Sequence, residues 1–88
     1  MNPTDPFAAI AEPNRRVILE ELRRGPKTVT QLAALLPGIS RPAVSQHLKA
    51  LLDAKLAEVR PQGTSRIYSL SAVGLTPVSL WVDQFWNV

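Results

Sequence analysis

Between Ser40 and Leu51 the chain reads SRPAVSQHLKAL, and five polar side chains of different chemistry crowd into it: Arg41, Ser45, Gln46, His47 and Lys49. None stands beside a second histidine, a thiolate or a carboxylate pair that could serve as acid and base, so the stretch offers no bond-breaking machinery. What it offers is hydrogen bonding: a forked cation, a short hydroxyl, an amide that donates and accepts at once, and a point charge. A helix with one polar face ordinarily means only solvent, so the elements around this face must decide its meaning.

The totals extend the exclusion. One histidine, no cysteine and no phosphate-cradling glycine loop leave the 88 residues without the parts of an enzyme. The absence of cysteine also removes disulfides and thiolate metal sites. The length suits one domain spanning 1–88. Ten Lys and Arg against seven Asp and Glu give a formal charge of +3, which fits a polyanionic partner and equally an ordinary basic protein. The opening MNPTDPFAAIAEPNRR lacks the basic and apolar regions of a signal peptide, and no apolar run approaches a membrane span. The expectation is a cytoplasmic protein without a membrane partner.

Prolines and glycines divide the chain into short blocks. Asp5 can cap a first helix with Pro6 at its first position, presenting Phe7, Ile10 and Ala11 on one side. Pro13 suits the start of a second, whose stripe is Ile18, Leu19 and Leu22 and whose stop is Gly25-Pro26. Thr28 or Thr30 can cap a third, with Val29, Leu32, Ala33 and Leu36 at helical spacing before Pro37-Gly38. In the fourth, Ser40 is the cap, Pro42 lies in the first turn, and Val44, Leu48, Leu51 and Leu52 form the inward stripe. Pro42, Ser45, Gln46, Lys49 and Asp53 then point outward.

After Lys55 the period changes to alternation. Two strands, Leu56 to Arg60 and Ser65 to Leu70, are expected around the turn Pro61-Gln62-Gly63-Thr64. A last helix follows over about 76–87, with Thr76 as cap and Pro77 at the first position. The fold expected is mainly α with a two-stranded β-hairpin: four helices, the hairpin and a fifth helix.

Two helices joined by a tight turn over about 28–55, the second polar near its N-terminus, describe a helix-turn-helix, whose second helix enters the DNA major groove. The hairpin over about 56–70 adds a wing that can lie on the backbone or in the minor groove, with Arg60 and Arg66 flanking Gln62, Thr64 and Ser65. Small Ala43 and Ser45 let the backbone approach base edges. Gln46 can bridge N6 and N7 of adenine, Arg41 can reach O6 and N7 of guanine or a phosphate, and Lys49 is better placed for a phosphate. His47 lies beside the core stripe and reads first as a packing or hydrogen-bonding residue, second as a DNA contact. Arg15, Arg16, Arg23, Arg24 and Lys27 share the second helix with Glu20 and Glu21, which predicts a solvated face with pairs inside the helix.

Val78, Trp81, Val82, Phe85 and Trp86 put more apolar surface on the last helix than one small core can use. The expectation is a homodimer joined through the helices at about 5–12 and 76–87, Phe7 and Ile10 included. Two copies of the fourth helix would then stand about one DNA turn apart and read an inverted repeat. The alternative is a winged helix that binds protein rather than specific DNA. It predicts an uncharged or acidic fourth helix and wing, against which stand Arg41, Lys49, Lys55, Arg60 and Arg66 with Asp53 and Glu58.

Three segments, DPFAAIAEPNRRVILEEL, SRPAVSQHLKALLDAKLAEVRPQGTSRIYSL and GLTPVSLWVDQFW, give the chain a resemblance to the winged helix-turn-helix repressors of the arsenic-resistance repressor (ArsR) family. The likeness covers nearly the whole chain, and its middle segment is the specific part. It implies a dimer built from the terminal helices, operator binding through the fourth helix and wing, and repression relieved by a signal. Carried over, the family's DNA-reading positions fall on Arg41, Pro42, Ser45, Gln46 and His47, with wing bases at Arg60 and Arg66. Metal-sensing members place Cys pairs near the third helix or His and carboxylates along the last. Here those stretches are TQLAALLPGIS, without a thiolate, and PVSLWVDQFWNV, with Asp83 as its sole carboxylate. The chain resembles a member without a metal site or cofactor, and these residues name no inducer.

Overall fold

In the computed structural model, residues 4–86 are described. The elements are α1 (Pro6–Ala11), α2 (Pro13–Arg24), α3 (Val29–Leu35), α4 (Arg41–Asp53), β1 (Ala57–Gln62), β2 (Ser65–Leu70), a single 3₁₀ turn (Val73–Leu75) and α5 (Thr76–Asp83). The helix starts follow from local chemistry. Asp5 accepts the Phe7 N–H ahead of Pro6, and Glu12, which the sequence reading passed over, accepts the Arg15 N–H ahead of Pro13. Thr28 and Gln31 form a reciprocal capping box, and Ser40 accepts the Ala43 N–H.

The end of α4 carries no glycine or proline. Lys55 instead takes the left-handed conformation, φ 60°. Lys55 N–H donates to Leu52 O at 3.0 Å and Leu56 N–H to Leu51 O at 2.9 Å, the two bonds of a Schellman motif. Leu51 and Leu56, which that motif brings together, are both fully buried. Ile18, Leu22, Leu32, Val44 and Leu48 complete the centre of the core, with Leu36, Tyr68 and small alanines around it.

The hairpin pairs Ala57 with Leu70 through to Gln62 with Ser65. The turn is therefore Gly63-Thr64 alone, shorter than the four residues expected, and β1 runs on through Pro61 and Gln62. Gly63 has φ 61° at the first central position, as a type II′ hairpin requires. Pro61 is tolerated because a two-stranded sheet has only edges. Lys27 and Tyr68 exchange both backbone bonds, at 2.9 and 2.8 Å, and so fasten β2 to the segment before α3.

Two further expectations change. Thr76 is the first residue of α5 rather than its cap; Leu75 holds the cap position without a side-chain bond, because the 3₁₀ turn runs directly into the helix. The helix ends at Asp83 and passes into a turn over 84–86; the expected end at Asn87 lies outside the described residues.

Candidate nucleic-acid interface

The core stripe of α4 fixes the opposite face by geometry. With Val44, Leu48 and Leu51 fully buried, Arg41, Pro42, Ser45, Gln46 and Lys49 are exposed along one side of the helix. Ala43 is half-buried beside them. Lys49 Nζ donates to Asp53 Oδ2 at 2.9 Å, one turn along, so the charge at this end of the face is shared with a carboxylate.

The wing approaches the other end. Thr28, Val29 and Thr30 at the start of α3, Arg41 at the start of α4, and Thr64, Ser65 and Arg66 at the hairpin tip line one open cleft of about 380 Å³. The structure thus brings together Arg41, Thr64 and Arg66 from segments far apart in sequence, and joins to them Thr28 and Thr30, which sequence reasoning treated as caps alone. The backbone exchange of Lys27 with Tyr68 puts them there, and no local pattern signals it. Arg60 is exposed on β1 outside this cleft.

His47 goes elsewhere. Its side chain is 17% exposed and meets the N-terminal turn of α2, where Arg15 Nε donates to Nδ1 at 3.1 Å and Glu12 Oε2 lies 3.8 Å from Nε2. The basic residues of α2 also differ from expectation. Among the described residues no ion pair forms within α2. Arg16 Nη1 donates instead to the carbonyls of Ile10 and Ala11 at the end of α1, and Lys27 Nζ to those of Glu21 and Gly25. Cations satisfying the open carbonyls of a helix end gain more than solvated i,i+4 pairs would.

These parts, a helix-turn-helix with an exposed polar second helix and a basic hairpin, agree with what the chain resembles. A family model described as "Helix-turn-helix domain" matches residues 10–60. The HTH-type transcriptional regulator Rv2034 of Mycobacterium tuberculosis is 47% identical over 98% of this chain and 79% of its own length. The transcriptional repressor SdpR of Bacillus subtilis is 35% identical over 92% of this chain and 89% of its own. A crystal structure of an ArsR family regulator superposes with TM-score 0.83 at 30% identity, covering 94% of this chain and 84% of that one. The chain belongs to the ArsR family of winged helix-turn-helix transcriptional regulators.

A possible transcriptional regulator for arsenical resistance superposes equally well, TM-score 0.83, at 41% identity over 93% of this chain and 84% of that one. A homodimeric winged helix-turn-helix DNA-binding domain from Mycobacterium bovis superposes with TM-score 0.74 at 25% identity over 94% of this chain and 76% of that one. Some ArsR members sense metals. Among the described residues no group of three or more His, Cys, Asp or Glu is placed to hold a metal ion, so the donor set does not fit one.

In the same frame α5 has no buried residue. Leu80 is 66%, Trp81 52%, Phe85 57% and Trp86 78% exposed, while Val78 and Val82 are half-buried. From α1, Phe7 meets Trp81 edge-on, ring centres 5.8 Å apart, and Trp81 meets Phe85 at 4.9 Å. Ile10 is half-buried against the core. Of the residues expected at a dimer contact, Phe7, Trp81 and Phe85 therefore form one aromatic surface running from α1 over α5 into the turn that follows it.

Proposed function

We propose that this ArsR-family regulator is a homodimeric repressor that reads an inverted-repeat operator with α4 in the major groove and the wing against the backbone or minor groove. The observation that carries the reading is the two-sidedness of α4. Its apolar stripe is sealed in the core while Arg41, Pro42, Ser45 and Gln46 stand free beside the cleft that Arg41 and Arg66 share. Ser45 and Gln46 read bases. Arg41 reads a base or clamps a phosphate, and Lys49, Arg60, Thr64 and Arg66 contact phosphates, with Thr28 and Thr30 added by the cleft. The repressor sign follows the relative SdpR, and self-association follows the homodimeric neighbour and the bare face of α5.

The protein acts by binding rather than by catalysis, and reading chromosomal DNA places it in the cytoplasm. No helix among the described residues is long and apolar enough to cross a membrane.

Selection of bound DNA from a random pool tests the operator reading. The expected product is a palindrome with half-sites about one helical turn apart. Gln46→Ala should weaken binding to that palindrome by about 1–3 kcal/mol and leave binding to unrelated DNA nearly unchanged. Equal loss on both would remove Gln46 from the base-reading set. A winged helix that binds protein rather than specific DNA, the rival reading, would leave no enriched DNA at all.

A further inference from the structure

His47 is the sole histidine of the chain, and it sits on the helix that carries the polar face yet is turned from that face. Because Arg15 Nε donates to Nδ1 at 3.1 Å, Nδ1 must hold a lone pair and the ring proton must sit on Nε2. Nε2 faces Glu12 Oε2 at 3.8 Å, beyond hydrogen-bond reach. That carboxylate is itself fixed: Oε2 accepts the Arg15 N–H at 2.9 Å and Oε1 accepts from Asn14 Nδ2 at 3.4 Å. A cation from the first turn of α2 thus holds one imidazole from the middle of α4, and the carboxylate of the α2 cap faces it.

We propose that His47 is a positioning residue for operator binding, a latch that sets α4 against α2 through Arg15 and opens when the ring is protonated, so that operator affinity falls on acidification. This rests on α4 being the base-reading helix.

The physical reason is donor and acceptor arithmetic. A protonated imidazole has two N–H donors and no acceptor, so it cannot take the Arg15 N–H. Two cations would then face each other while Glu12 attracts the Nε2–H. Either the ring swings toward Glu12 or Arg15 withdraws, and α4 loses this polar tie to α2 while the apolar core the two helices share stays closed. Among the described residues no ionisable group other than Arg15 and Glu12 bonds or pairs with the ring. Ala43, Val44, Ala50 and Leu51, one turn either side on α4, are uncharged, and Lys49 and Asp53 bond each other. α1 and α3 carry no titratable side chain. Glu58 and Arg60 of β1 are exposed and make no bond to the ring.

The test measures affinity of the full chain for its selected palindrome at constant ionic strength between about pH 8 and about pH 5.5. Wild type should lose roughly tenfold in affinity on acidification, the equivalent of one charge-assisted hydrogen bond. His47→Gln keeps an acceptor for Arg15 and cannot titrate; it should match wild type at the high end and stay flat. Arg15→Ala should show the acid-end affinity throughout. Were His47 to touch DNA instead, protonation would add a cation at the phosphates and binding would tighten with acid. Tightening, or a wild-type profile shared by His47→Gln, overturns the latch.

A second measurement needs no DNA. Imidazole ¹⁵N spectra of the free protein should show the Nε2–H tautomer with Nδ1 bare at high pH, and an Nδ1–H tautomer overturns the proposal by itself. Failure of the operator reading looks different: Gln46→Ala would keep full specific affinity while the tautomer stayed as expected.

Discussion

Ser40 and Gln46 stand in the same half of α4 and fail differently when changed. Ser40 Oγ accepts the Ala43 N–H at 3.2 Å, so Ser40→Ala removes the cap and should cost about 1 kcal/mol of stability in urea unfolding. Specific and non-specific DNA binding should fall together only as far as folding does. Gln46, whose exposed side chain makes no hydrogen bond among the described residues, should leave the unfolding curve within about 0.5 kcal/mol when cut to Ala, and lose operator discrimination instead. The Ser40 cap and the exposure of Gln46 were both legible in the sequence, because a cap and an exposed helix face are decided within a turn or two. His47 was not legible in the same way. The partner that fixes its tautomer, Arg15, is 32 residues away, and no periodicity reports a contact of that span.

At the scale of elements, the ends are where expectation and structure part. The starts of α1, α3 and α4 announce themselves through Asp5, Thr28 and Ser40 and that of α2 through Pro13, whereas the end of α4 is made by Lys55 in a left-handed conformation that residues other than glycine ordinarily avoid. That end is also a docking point. Gly74 N–H donates to Lys55 O at 2.9 Å, and a Cβ on Gly74 would run into Ala54 O and lie 2.8 Å from Lys55 O. Both obstacles are backbone, so neither can swing aside. Gly74→Ala should therefore destabilise the fold by about 1–3 kcal/mol in denaturant unfolding, an overpacking penalty. A neutral result would mean that the 3₁₀ turn moves freely over the end of α4. Because the same turn leads into α5, Gly74 also links the end of α4 to the aromatic face.

For the whole molecule, that face is the unfinished part. A helix with no buried residue gains little from its own chain, and Leu80, Trp81, Phe85 and Trp86 leave an apolar patch of the kind that marks an interface. Wild type should sediment as two chains at micromolar concentration, with a melting temperature that rises with concentration. Changing Trp81 and Phe85 together to Ser should give a folded monomer with weak operator affinity, since one recognition helix reads too few base pairs. A wild-type monomer would defeat the dimer and with it the inverted repeat. What the sequence determined by itself was the local grammar: four capped helices, a hairpin, a polar face on the fourth helix and an aromatic surplus on the fifth. Those features depend on residues within a few positions of one another, through capping bonds and the helical period. The tertiary structure decided the rest. It joined Thr28 and Thr30 to Arg41 and Arg66 through the Lys27–Tyr68 exchange, turned His47 onto Arg15, spent Arg16 and Lys27 on helix-end carbonyls and set Gly74 against Lys55. All but the Arg16 and Lys27 bonds, which reach back no more than six residues, join segments distant in the chain, fixed by how the elements pack and not by any pattern within one of them.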